Sequence, residues 1–250
     1  MYYRNGNRIS TGLVQAGELI KIPTREGITT NILWHETPNA KITVLIFPGG
    51  GGGFGRVENG LPTSGNFLVR TAQFWIDEGF NYAVFGRPSD SDDLDYADRI
   101  SDKHLIDLKA TVQFLKTKSS APIYVVGTSR GTISTTHLLI NEPSLAGGVL
   151  TASVVSFKKI GAVTRQDLDR IKVPVLAYHH AEDACQHCRP NEVPGIVKGL
   201  KNAPIKKLMM VSGGSGASGD VCAGQHYHGF IGMEKEAVKT IADWIRNPSN

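Results

Sequence analysis

Apolar positions along this chain fall in short runs parted by turn formers, and two periodicities take turns. Residues Gly17–Pro23 and Ile28–Trp34 switch between apolar and polar at every other position, the period of a half-buried strand, and predict an opening antiparallel hairpin at a sheet edge. Lys41–Phe47 is a continuous run rich in β-branched residues, which suits a strand buried on both faces. The spacing then predicts a helix over Asn66–Glu78, a strand over Asn81–Phe85, and a helix capped by Ser101 with Leu105, Leu108, Val112 and Leu115 on one face. A strand over Pro122–Val126 and a helix over Thr132–Ile140 follow, then strands over Gly148–Val155, Val173–Tyr178 and Lys206–Val211. A last helix, Glu234–Ile245, is expected to bury Val238, Ile241, Ala242 and Ile245. Strands alternating with helices predict an α/β fold, with a mostly parallel central sheet and helices on both faces. One domain is expected over residues 1–250. The stretch between Val155 and Val173 is too short for a cap domain, so an open site is expected.

Composition narrows the function classes. A formal charge of +4 on 250 residues is small, and the lysines and arginines are scattered. No basic stripe interleaves with aromatics, so a nucleic-acid partner has no support. The longest apolar runs, such as Ile42–Phe47, are too short to cross a bilayer, so no membrane partner is read. Met1–Thr11 is polar and lacks the apolar core of a signal peptide. Oligomeric state is not encoded in any pattern we recognise.

The chemistry centres on Gly127-Thr128-Ser129-Arg130-Gly131, which follows an apolar strand and opens a helix. A serine on a sharp strand-to-helix turn is held exposed in a strained conformation, and flanking glycines let the helix approach the strand. Chance supplies about 0.2 matches to this pattern in such a chain, so context decides. Parallel sheets place ligand sites at the carboxyl ends of their strands. Three other reactive segments fall at such positions: Gly49–Gly53, His179-His180-Ala181-Glu182-Asp183, and His226-Tyr227-His228-Gly229-Phe230. The order nucleophile, acid, histidine matches one known arrangement.

On these motifs the chain resembles the α/β-hydrolases over almost its whole length, near the dienelactone-hydrolase and small-esterase branches. The resemblance implies Ser129 as nucleophile, Asp183 as the acid that orients the imidazole, and His228 as general base. The phrase His228-Gly229-Phe230 is similar to the His-Gly-Phe of the dienelactone-hydrolase group. Glu182 is the rival acid and His226 the rival base; His179 and His180 read as hydrogen-bonded neighbours of the acid loop. The expected oxyanion hole is the N–H of Arg130 with that of Gly50 or Gly51, where related proteins often carry His-Gly in place of Pro48-Gly49. The Arg130 guanidinium is expected to pair with a carboxylate beneath the turn.

Cysteines just after the acid and just before the histidine resemble a group of exported bacterial α/β-hydrolases. That implies a Cys185–Cys222 disulfide, worth about 4 kcal/mol by chain entropy, with Cys188 free. Such a bridge favours a periplasmic or secreted home. A competing reading assigns Cys185, His187, Cys188, Cys222 and His226 to a metal. The stretch Asp90–Asp95 is superficially like a calcium loop but lacks its glycine and terminal glutamate, and reads as a solvated acidic turn. The implied activity is cleavage of small or short-chain carboxylic esters, with no cofactor and no resident metal. A peptidase or amidase of the same architecture, and a non-catalytic binding protein on the same fold, are the alternatives.

Overall fold

A computed structural model describes residues 17–250; the stretch Met1–Thr11 lies outside them. An eight-stranded sheet runs through the molecule. Its strands are β1 (Glu18–Arg25), β2 (Ile28–His35), β3 (Thr43–Phe47), β4 (Asn81–Pro88), β5 (Ile123–Thr128), β6 (Gly147–Thr151), β7 (Val175–His180) and β8 (Lys206–Val211). The spatial order is β1-β2-β4-β3-β5-β6-β7-β8. The β1–β2 and β2–β4 pairings are antiparallel, and every pairing from β4 to β8 is parallel. The predicted hairpin therefore sits at one edge.

Side-chain alternation along the central strands explains the two-sided core. In β3, Leu45 and Phe47 join one apolar cluster, while Val44 and Ile46 join another. The first is covered by α3 (Asp102–Lys118) and α4 (Gly131–Asn141), through Leu108, Val112, Leu138 and Leu139. The second is covered by α1 (Phe67–Arg70), α2 (Ala72–Asp77) and α6 (Glu234–Arg246), through Phe67, Trp75, Val238 and Ile241. A short α5 (Pro194–Gly199) completes the helices.

The differences from the sequence reading are local. The single helix expected over Asn66–Glu78 breaks at Thr71, whose hydroxyl donates to Phe67 O at 2.8 Å and accepts from Trp75 Nε1 at 3.2 Å. A threonine bonded back to the preceding turn bends a helix in this way. β6 stops at Thr151, short of Val155, because Ala152 turns left-handed at φ 43°. Val154 and Val155 are still buried: Val154 packs in a small cluster with Ile133, Cys185 and Cys188. β7 runs to His180, so both histidines belong to the strand. Ser101 caps α3 as expected, its hydroxyl accepting from His104 N at 3.3 Å. Between Ala152 and Pro174 the chain makes two 3-10 turns, Val163–Arg165 and Leu168–Arg170, and no cap domain. Among the described residues no helix is long and apolar enough to cross a membrane.

The turn after β5 is shaped by contact. A Cβ on Gly131 would overlap the Phe47 carbonyl oxygen and lie 2.9 Å from that of Pro48; one on Gly127 would overlap the Thr135 hydroxyl. The helix start is thus pressed against the end of β3. Gly131→Ala is expected to destabilise by about 1–3 kcal/mol in urea unfolding. Gly65→Ala, in open space with an ordinary backbone conformation, should be near neutral. Equal midpoints for the two variants would refute the packing argument.

Candidate active site

Ser129 sits at φ 52°, one of five non-glycine residues described with a positive φ. Holding a serine there costs about 1–3 kcal/mol, and the structure over-determines it. Ser129 N donates to Thr151 O at 3.1 Å, and Ser129 O accepts from Thr132 N at 2.9 Å and from the Thr132 hydroxyl at 2.6 Å. The side chain is left at the mouth of the turn.

Asp183 and His228, 45 residues apart, meet at 2.8 Å through Oδ2 and Nδ1, both buried. The other carboxylate oxygen accepts from Cys185 N at 2.9 Å, and His179 Nε2 stands 3.5 Å from Oδ2. Glu182 points to solvent, so Asp183 is the acid that the fold pairs. His226 packs edge-on against Tyr227 and makes no ion pair with Asp183. The histidine loop is shaped by its neighbours. A Cβ on Gly229 would overlap the Gly224 backbone. Phe230 takes φ 55° and packs on Phe67 and Tyr178 at 4.8 and 5.3 Å, and Arg70 donates to Gly229 O at 2.7 Å.

His228 Nε2 is buried and has no hydrogen-bond partner. Ser129 and His228 line one recess of about 40 Å³ together with Gly50, Asn66 and Cys222, so hydroxyl and imidazole face the same space without yet being bonded. General-base contacts often close only in the substrate complex. The recess adjoins a cavity of about 580 Å³ whose wall includes Gly50, Tyr96, Ser129, Arg130, Lys159 and His187. A larger cavity of about 770 Å³ lies between α2 and the start of α6 and contains none of these groups; chemistry, not size, selects the former.

Of the two glycines proposed for the oxyanion hole, Gly50 (φ 57°) lines both the recess and the cavity, whereas Gly51 is pressed against the Asp93 carboxylate. The Arg130 guanidinium has a carboxylate partner as expected, Asp93, but on the cavity side and not beneath the turn. The underside is filled by the glycine contacts, so the side chain turns outward, 4.8 Å over the Tyr96 ring and 3.9 Å from Asp93. Lys159 lies over the same ring at 4.7 Å. The acidic turn Asp90–Asp95 is engaged by arginines: Asp90 by Arg25 at 2.8 Å, the Asp92 carbonyl by Arg87, Asp93 by Arg130. Cys185 and Cys222 form a disulfide, and Cys188 is a buried free thiol. Burial pushes that thiol well above its ordinary range; the Asp183 charge adds to this and the Ser129 hydroxyl opposes it. Of the competing metal set, His187 packs on Tyr96 and His226 on Tyr227, and only Cys185 and Cys188 fall in a cluster of potential ligands, with His228 in place of either histidine.

Two residues escape sequence reading. Asn66, expected only as a helix start, has a buried side-chain oxygen without a partner and lines the recess. Arg99 is buried and anchors the glycine loop from below, donating to Pro48 O at 3.2 Å, Gly50 O at 3.0 Å, Leu94 O at 3.1 Å and the Ser134 hydroxyl at 3.0 Å. Its pKa is lowered to about 9, by burial first and then by Arg130. Nothing in a loop arginine before a helix cap signals this role.

An eight-stranded sheet in this order, a strained serine after the fifth strand, an acid after the seventh and a histidine before the last helix decide the architecture. The chain has the α/β-hydrolase fold. Solved structures agree. An esterase of Pyrococcus furiosus matches with a TM-score of 0.67 at 16% identity, over 92% of this chain and 91% of its own. An alpha-beta serine hydrolase homologue from Coxiella burnetii gives 0.62 at 15%, over 95% and 100%. A cold-adapted esterase from an Arctic intertidal metagenomic library gives 0.62 at 14%, over 91% and 92%. No protein-family model matches the sequence, and no curated protein matches it either.

Two outcomes follow from these buried groups. Arg99→Met leaves the Pro48 and Gly50 carbonyls unpaired but relieves a buried charge, so a net loss of about 2 kcal/mol is expected. Amide exchange at Gly50–Gly53 should accelerate beyond the global change; unchanged local exchange would rule out the anchoring role. The second concerns pH. Burial lowers His179 to about 4, with the Asp183 charge only partly opposing, and lowers His104 to about 3, with Arg99 adding. Both imidazoles stay neutral in the fold, while unfolded ones protonate near 6.5. The unfolded chain therefore binds protons first, and stability that is complete above pH ~6.5 declines as pH falls towards ~4. Urea midpoints at pH 7.5, 6, 5 and 4.5 should fall steadily; a flat or rising series would contradict the assignment.

Proposed function

We propose that the protein is a serine hydrolase that cleaves carboxylic esters through an acyl-enzyme. The observation that carries this reading is the left-handed Ser129 sharing a small recess with a buried imidazole whose other nitrogen is held by Asp183 at 2.8 Å. In the proposed reaction Ser129 Oγ attacks the acyl carbon as its proton passes to His228 Nε2. Asp183 keeps the Nδ1 proton in place and stabilises the imidazolium. The oxyanion is received by the N–H groups of Arg130 and the glycine loop, with Gly50 favoured by its position. When the tetrahedral intermediate collapses, His228 returns the proton to the leaving alkoxide. Water, deprotonated by the same nitrogen, then releases the acid and restores Ser129.

The cavity supports a small substrate. It is open at the rim, has no cap, and carries Arg130 and Lys159 close to the Tyr96 ring, so short or polar acyl groups suit it better than long lipid chains. No cofactor enters any step. A disulfide beside the site suits an oxidising compartment, periplasmic or outside the cell.

The wild-type chain should be labelled at Ser129 by a fluorophosphonate probe and should hydrolyse p-nitrophenyl acetate faster than the decanoate ester. Ser129→Ala should lose at least about 10⁴-fold in turnover. Preferred cleavage of aminoacyl-nitroanilides would move the assignment to an amidase. An unlabelled Ser129 with no ester turnover would leave a binding protein on this fold.

A further inference from the structure

Beside the proposed catalytic residues lies a cluster that the ester chemistry does not use. The donor atoms of Cys185, Cys188 and His228 all lie within 4.8 Å of one another, and all three residues are buried. The third sulfur, that of Cys222, is bonded to Cys185. We propose that reduction of this disulfide opens a zinc site formed by Cys185, Cys188, Cys222 and His228, a redox-gated metal centre that takes the imidazole out of use.

Three of the four donors stand near the spacing of a tetrahedral thiolate–imidazole site. Zn–S bonds near 2.3 Å and Zn–N bonds near 2.0–2.1 Å place donors about 3.5–3.8 Å apart, so Cys185, Cys188 and His228 have to close by ~1 Å, while Cys222 and Cys185, once reduced, have to move apart to the same spacing. Cys185-Gln186-His187-Cys188 supplies the two-residue spacing of a zinc knuckle, and its turn is closed by Cys188 N donating to Cys185 O at 2.9 Å. That turn does not depend on the disulfide. His179 Nε2 bonds Cys188 O at 2.8 Å, the Val155 and Ser156 N–H groups donate to His187 O at 3.0 and 3.2 Å, and Asp183 accepts from Cys185 N.

The imidazole is set as a metal-bound histidine would be. Its Nδ1 is held by the Asp183 carboxylate, the outer contact that fixes ring orientation and raises basicity in zinc–histidine sites. Its Nε2 is the buried nitrogen without a partner. This unpartnered nitrogen is an observation independent of the sulfurs, and it points to a ligand at the imidazole.

While Cys185 and Cys222 are bonded, neither sulfur is a thiolate and the set is incomplete. Both residues line the cavity of about 580 Å³ and Cys222 also lines the recess, so a small reductant reaches the bridge from the substrate side. A dithiol converts the disulfide into two thiols and is itself oxidised to a disulfide. A phosphine does the same with one water, becoming the phosphine oxide. Zinc then binds three thiolates and neutral imidazole, with three protons released to solvent. Arg130 and Lys159 on the cavity wall offset the resulting negative charge.

The test uses Co²⁺ as a spectroscopic probe on the full chain, oxidised and phosphine-reduced. The reduced protein should bind one equivalent, with thiolate-to-cobalt charge-transfer absorption and the visible bands of a tetrahedral ion, and Zn²⁺ should displace it. The oxidised protein should show neither. Cys188→Ser keeps the disulfide and lies outside the proposed catalytic set; after reduction it should bind cobalt at least about tenfold more weakly. Equal binding by Cys188→Ser, binding by the oxidised chain, or no thiolate–cobalt absorption after reduction each overturns the proposal. A reduced chain that loses its near-ultraviolet dichroism and does not regain it with metal also overturns it, because the ion must replace the lost tie. Reversible zinc inhibition of ester turnover rests on the proposed role of His228. Cobalt binding does not, so the two readings fail separately.

Discussion

The close approach of α4 to β3 and β5 is the constraint on which the rest depends. Glycines at 127 and 131 let helix and strand backbones touch, and that contact drives the intervening residue into a left-handed conformation it would not choose. Two further ties, to Thr151 and Thr132, hold it there. The conformational cost at one residue is thus carried by packing across three elements, and this places the hydroxyl above the sheet edge where the other loops converge.

Those loops are fixed in different ways. The acid loop leaves the end of β7 and folds at once, with Asp183 N bonded to His180 O and its carboxylate shared between a backbone amide and an imidazole. The histidine loop has little regular structure and is instead wedged by Phe230 and clamped by Arg70. A covalent bridge joins the two loops beside the pair they carry. Order at the site therefore comes from point contacts on irregular chain, each specific to one residue.

Much of this was legible in the sequence. Every strand of the eight-stranded sheet was found within a few residues, because burial on both faces leaves continuous apolar runs and hairpins leave alternation; the short pair Val57–Glu58 and Leu61–Pro62 was not. Ser129, Asp183 and His228 were picked out by turn chemistry and by family resemblance, and the structure brings the acid and histidine into contact and the serine into their recess. The misses share a cause. The break at Thr71, the early end of β6 at Ala152 and the outward turn of Arg130 are set by what lies across the chain, not along it. Arg99 is the clearest case: three of its four partners stand 35 to 51 residues away, and no local pattern announces them.

That buried guanidinium has an electronic consequence as well as a mechanical one. A cation hydrogen-bonded to the carbonyls of Pro48 and Gly50 draws electron density out of those two peptide groups, and the amide hydrogens at their far ends, on Gly49 and Gly51, become more acidic and so stronger donors. Positive character is relayed through the peptide bonds themselves, into a loop none of whose own side chains carries a charge.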